Sequence, residues 1–199
     1  MQFLVVLTMI DPVVWRRIVV PETYTFWDLH VAIQDAMGWQ DYHLHEFVVH
    51  PAEGGPAARI GIPDDDFAGA RPTIPGWTVP LSRYFSRETH RDVPPFTYDY
   101  DFGDEWRHVV TLEELRPPGR GKLPRCAGGA RRCPPEDCGG PPGYAEFLKA
   151  ISSPRHREHK AMLEWCGGAY DPDAFDAAAV KFDDPARRWK LAFEGDGSD

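Results

Sequence analysis

The chain has 199 residues, 42% hydrophobic and 27% charged, with a formal charge of −9. That length suits one domain with a core of its own. The acidic balance excludes general affinity for a phosphate backbone unless a local basic patch supplies it, and no run approaches the ~20 apolar residues of a bilayer-spanning helix.

In chain order, Phe3 to Met9 and Val13 to Val20 are β-rich runs separated by Asp11-Pro12, a turn signal, and predict an antiparallel pair. The opening lacks a basic leader segment and reads as a strand, not a signal peptide, so a reducing, bacterial-type cytoplasm is expected. "TFWDLHVAIQDAMG" predicts a helix. Thr25 caps it and Asp28 completes a capping box; Phe26, Leu29, Ile33, Ala36 and Met37 form one stripe, and Gly38 stops it. "YHLHEFVVH" (42–50) and "ARIGIP" (58–63) are further strands, and 64–80 reads as a surface loop. "FTYDYDFGDEWRHVVTLEEL" predicts a hairpin turning at Gly103-Asp104.

Residues 116–142 hold 13 prolines and glycines among 27, which excludes a long helix or a central strand. Helices are expected at Tyr144–Ile151, His156–Cys166 and Pro172–Val180, followed by a disordered tail over 191–199. The expected architecture is α+β: a mostly antiparallel sheet with one N-terminal helix (1–115), a Pro/Gly/Cys-rich loop (116–142), and C-terminal helices packed on the same domain (143–190).

Three patterns carry candidate chemistry. Cys126, Cys133 and Cys138 stand in a C-x6-C-x4-C arrangement within a turn-rich segment. That suits a structural Zn2+ site, with Cys166, His156 or His159 as fourth ligand; inert buried thiols and a redox pair are the other readings. His43 and His45, two apart, and the hairpin residues Asp99, Asp101, Asp104, Glu105 and His108 are candidates for a metal-dependent hydrolytic centre. Arg116, Arg120, Lys122, Arg125, Arg131 and Arg132 form a basic stretch that would contact nucleic acid or another acidic partner, or simply face solvent.

Four blocks, "PVVWRRIVVPETYTFWDLHVAIQDAMGWQDYHLHEF", "YDYDFGDEWRHVVTLEEL", "PPEDCGGPPGYAEFLKAI" and "MLEWCGG.YDPDAFD", resemble the plasmid pRiA4b open-reading-frame-three-like family, covering about residues 2 to 182. The resemblance implies a bacterial or archaeal α+β protein without an assigned reaction. Some members carry a resolvase-like name through association with mobile elements. This chain lacks the N-terminal nucleophilic serine such chemistry requires, its first serine being Ser82. The resemblance matches Cys133 and Cys138 to the family's "CPPEDCGG" block and Cys126 to the cysteine that commonly precedes it, while Cys166 departs from the family's usual aliphatic residue. That shifts the preferred fourth ligand to His159, with His156 and Cys166 as alternatives. The expected function is an interaction or accessory module with a zinc-type cysteine loop and an unknown protein partner. A hydrolase and a nucleic-acid-binding accessory protein are the alternatives.

Overall fold

The computed structural model describes residues 1–51, 54–64, 72–86, 93–115 and 121–195. The strands are β1 (Gln2–Leu7), β2 (Trp15–Val19), β3 (His45–Val49), β4 (Ala58–Gly61), β5 (Ile74–Pro75), β6 (Phe96–Tyr100), β7 (Trp106–Glu114) and β8 (Arg125–Ala130). The helices are α1 (Phe26–Met37), α2 (Gly140–Ser152), α3 (His159–Trp165) and α4 (Pro185–Phe193). The strands form one sheet in the order β5-β4-β3-β6-β7-β1-β2-β8, antiparallel except for the β4–β5 pair. The α+β expectation holds.

Alternation in β1 puts Phe3, Val5 and Leu7 into the core and leaves Leu4 and Val6 half-buried on the other face. The same inner face collects Ile18, Phe47, Val49, Ile60, Phe96, Tyr98, Tyr100, Trp106 and Val110. Helix α1 lies on this face. Thr25 accepts from the Asp28 N–H, Asp28 accepts from the Thr25 N–H, and Gly38 closes the helix with φ +88°. Phe26, at the first turn, meets Phe47, Phe85 and Phe96 at ring-centroid separations of 5.3 to 6.4 Å.

The helix is buried more completely than its apolar stripe implies. Trp27, His30, Val31 and Gln34 are also inside: His30 and Gln34 bond the Tyr98 hydroxyl on the sheet, and α4 covers the flank that carries Trp27. Trp27 Nε1 donates to Pro185 O (3.0 Å), and Arg188 bonds Asp35 (2.7 Å) and Asp183. Helix α4 replaces the first part of the expected 191–199 tail. Asp184 caps it by accepting from the Ala186 N–H, Pro185 occupies its first turn, and Trp189 and Phe193 pack with Trp77. The helix expected over 172–180 is instead a single 3-10 turn at Ala177–Ala179, and α3 is shorter than the expected 156–166. The 64–80 segment contributes the two-residue β5, whose backbone pairs with β4.

Within the expected loop, residues 125–130 form the edge strand β8, paired with β2 from Trp15↔Ala130 to Val19↔Arg125. Gly128 and Gly129 leave little side-chain signal for a strand. Pairing with β2 supplies it, as tertiary context commonly does for weak β-formers. Beneath this pair lies Arg16, 2% exposed. Its Nε donates to Ala36 O (2.7 Å), and its Nη1 donates to Trp15 O (2.9 Å) and Ala130 O (3.0 Å). The guanidinium also stacks on Phe175 at 3.8 Å. One cation thus joins β2, β8 and the C-terminal end of α1, where carbonyls have no intrahelical partner and positive charge is favoured.

Candidate functional site

After β8 the chain turns at Arg131 (φ +69°) and runs through Cys133-Pro134-Pro135-Glu136-Asp137-Cys138 into α2. This loop is tied to its neighbours at several points. Pro134 O accepts from Trp39 Nε1 (2.9 Å). Glu136 accepts from the Gln40 N–H (2.8 Å) and the Tyr100 hydroxyl (2.5 Å). Gly139 N donates to Asp104 Oδ2 (3.1 Å). At Gly140, φ is +66° and an added Cβ would overlap Asp104 O, so glycine is what allows the loop to dock on the β6–β7 turn. Gly140→Ala is therefore expected to cost about 2–3 kcal/mol, seen as a lowered urea midpoint. A midpoint equal to wild type would contradict this docking.

The thiols are distributed. Cys126 sits on β8 with Sγ donating to Gly128 O (3.4 Å), and Cys166 at the end of α3 donates to Leu163 O (3.4 Å). Burial pushes the Cys133 thiol well above its ordinary pKa, against a partial offset from Arg16. Burial likewise pushes Cys138 up to about 12, with Asp104 adding to the shift. His159 Nδ1 bonds Ala150 O (3.0 Å), and His156 Nδ1 accepts from the Glu158 N–H (3.2 Å). Cys126, Cys133, Cys138 and His159 are not gathered into a tetrahedron. Among the described residues, only one group of three His, Cys, Asp or Glu side chains has its ligand atoms all within 4.8 Å of one another: His43, Asp101 and Asp137.

The front-side candidates divide. His43 precedes β3, so strand alternation does not carry it to the side of His45. Its Nε2 lies 3.1 Å from Asp137 Oδ1 and 3.5 Å from Asp101 Oδ2. Asp101, in a left-handed conformation (φ +57°), accepts through Oδ1 from the Gly103 (2.9 Å) and Asp104 (3.2 Å) N–H groups. His45, by contrast, points into the core and stacks on His30, with ring centroids 3.4 Å apart and planes 7° from parallel. Burial, reinforced by His30, holds its pKa well below the ordinary value. His108 is also buried, held down to about 4 by desolvation despite its Nδ1 contact with Tyr98 O (3.1 Å). His30 links the Tyr98 hydroxyl (2.8 Å) to Asp41 (2.8 Å), and Gln34 donates to the same hydroxyl. His45 and His108 thus belong to a buried polar core and not to an open hydrolytic site. Asp99 pairs with Arg107 (2.8 Å), and Asp104 serves the loop contact above.

Beside the His43 cluster, a groove of about 540 Å3 runs between the end of α1, the 132–137 loop and the end of α3. Trp39, Tyr42, Trp165 and Tyr170 line it, with Cys133, Pro134 and Pro135 between them. Tyr42 is 67% exposed and Trp165 48%. Residues 42 and 165 belong to segments read as strand and helix, and nothing in their local pattern marks them as groove walls. The basic residues do not form a continuous patch among the described residues. Arg131 pairs with Asp173, Arg132 stacks on Tyr170 at 4.7 Å, Arg125 lies on β8, and Lys122 lines a separate groove with Lys181. Arg116 and Arg120 lie outside the described residues. No helix among them is long and apolar enough to cross a membrane.

Comparison with known proteins agrees with this architecture. The chain is similar to "Uncharacterized protein y4hQ" of Sinorhizobium fredii (strain NBRC 101917 / NGR234), 37% identical over 192 residues that span 93% of this chain and 91% of the relative. It also resembles the crystal structure of a protein of unknown function, MM3350, from Methanosarcina mazei Go1. That match has a TM-score of 0.80 and 39% identity, covering 91% of this chain and 97% of the other. The model for the plasmid pRiA4b ORF-3-like protein family matches residues 1–179, from β1 through the Ala177–Ala179 turn, and the chain belongs to that family.

Proposed function

We propose that the protein is a cytosolic binding module that holds an extended, proline-rich segment of a partner protein in the groove between α1, the 132–137 loop and α3. The observation that carries this reading is the pair of large, solvent-facing rings, Tyr42 and Trp165, on a groove otherwise walled by Trp39, Tyr170, Pro134 and Pro135. Two such rings on one groove form a contiguous aromatic patch of the kind that marks interaction sites, and they supply rigid area at little entropic cost. Aromatic-lined grooves suit a polyproline II segment, which arrives already extended and offers carbonyls without amide donors of its own. The buried floor of Trp39 and Cys133 and the two exposed outer rings fit a ligand laid along the surface better than one swallowed whole.

The test is titration of proline-rich decapeptides against the protein, followed by tryptophan emission and calorimetry, with proline-to-alanine versions as controls. Saturable binding is expected for at least one proline-rich sequence. Trp165→Ala should weaken it by at least about 30-fold, the loss typical of a tryptophan anchor. Equal affinity for the alanine controls, or unchanged affinity in Trp165→Ala, would overturn the reading.

A further inference from the structure

We propose that His43, Asp101 and Asp137 bind a divalent first-row transition ion through His43 Nε2, Asp101 Oδ2 and Asp137 Oδ1. These atoms come from three separate parts of the chain: the approach to β3, the β6–β7 turn and the loop before α2. Ligand atoms that share an ion at roughly 2.1 Å stand about 3.0–3.5 Å from one another in octahedral or tetrahedral geometry. The His43–Asp137 separation is 3.1 Å, a hydrogen bond whose proton an ion would displace, the His43–Asp101 separation is 3.5 Å, and all three ligand atoms lie within 4.8 Å of one another.

The arrangement has features that an accidental surface cluster lacks. Asp101 is 8% exposed, and its Oδ1 is occupied by two backbone N–H donors, which turns Oδ2 toward His43. Asp137 stands between two anchored residues, Glu136 and Gly139, so its carboxylate is presented from a fixed backbone. Placing two carboxylates beside one imidazole concentrates negative charge in a partly desolvated position, which a dication offsets. One nitrogen and two oxygen donors suit Zn2+ or Mn2+. They offer too little oxygen for a dedicated Ca2+ cage and no sulfur for Cu+. Asp137 is exposed, so three protein ligands leave coordination positions to water on the side of the groove. The site is distinct from the cysteine arrangement and does not depend on the peptide-binding reading.

The experiment uses untagged, full-length protein under reducing conditions. Zn2+ is titrated by calorimetry, and Co2+ is followed by its electronic spectrum. The expected result is one equivalent of Zn2+ bound, and a Co2+ spectrum without the near-ultraviolet sulfur charge-transfer band that thiolate ligands produce. His43→Ala and Asp137→Asn should each weaken Zn2+ binding by at least about 100-fold, more than loss of an outer-sphere partner does. Cys133→Ser should leave it unchanged. Asp137 is exposed, so its variant keeps the fold, which circular dichroism verifies. Absence of Zn2+ binding, binding unaffected by Asp137→Asn, or binding lost in Cys133→Ser with a sulfur charge-transfer band would each overturn the proposal.

Discussion

Lowering the pH from 7 to 4.5 is expected to remove about 2.4 kcal/mol of folding stability through His108 alone. In the unfolded chain its imidazole takes a proton near pH 6.5, whereas in the fold it does so only at about 4. Between those values the unfolded state holds more protons, so stability is complete above pH 6.5 and falls steadily as the pH drops toward 4. The cause is physical isolation. His108 is enclosed by Tyr98, Trp39 and Trp106, and its Nε2 has no hydrogen-bond partner. The lowered pKa of His45, stacked on His30, acts with the same sign and steepens the fall. Since whole domains are stable by about 5–15 kcal/mol, the acid limb should be visible in urea unfolding at pH 7, 6 and 5. His108→Phe fills the same space without a titrating group and should flatten it. A wild-type urea midpoint constant from pH 7 to pH 5, or an equally steep limb in His108→Phe, would refute this account.

Replacing Arg16 by methionine is expected to cost about 2–4 kcal/mol, large for a single substitution. Methionine occupies much of the volume but leaves Ala36 O, Trp15 O and Ala130 O without the donors they have now. The buried Ala36 O, stripped of its donor, costs about 1–3 kcal/mol, and the part-buried Trp15 O and Ala130 O, on residues paired across β2 and β8, add less. Loss of the Phe175 stack adds to this, and it should loosen the 172–179 segment, which is held to the loop after β8 by Arg132 N donating to Pro172 O (3.1 Å). The measurement is the urea midpoint together with near-ultraviolet circular dichroism. A loss under about 1 kcal/mol would mean that the guanidinium is not the joint between sheet and helix.

The parts of the fold legible in the sequence are those where local chemistry and tertiary position agree. Helix α1 announces itself through Thr25, Asp28 and Gly38, and the β6–β7 hairpin through Tyr98 and Tyr100 alternating with Asp99. His30 and Gln34 were less readable, because polar residues on a helix suggest solvent. Here they face Tyr98 under a helix that α4 shields from the other side. The signals for α4 are present in Asp184 and Pro185 and in Trp189 and Phe193 one turn apart, but Arg187, Arg188 and Lys190 make the segment polar overall, like a solvated tail. The cysteines stand out by type and spacing, yet the same loop contributes Asp137 to the side-chain cluster. No periodicity relates residue 137 to 43 and 101, because that proximity exists only once β3, β6 and β7 have paired.

The two margins of the sheet determine how this molecule can meet other chains. At one end β5 has only two residues and finishes on Pro75, which offers no amide hydrogen. At the other, β8 departs from regular register against β2 between Arg17 and Ile18, and Phe175 lies over Gly129. Short, bulged and covered margins are poor templates for an incoming strand. A partner therefore gains little by extending the sheet, and neither does a second copy of the chain. Association is left to side chains, and the protein can expose a broad β-sheet without inviting itself to polymerise.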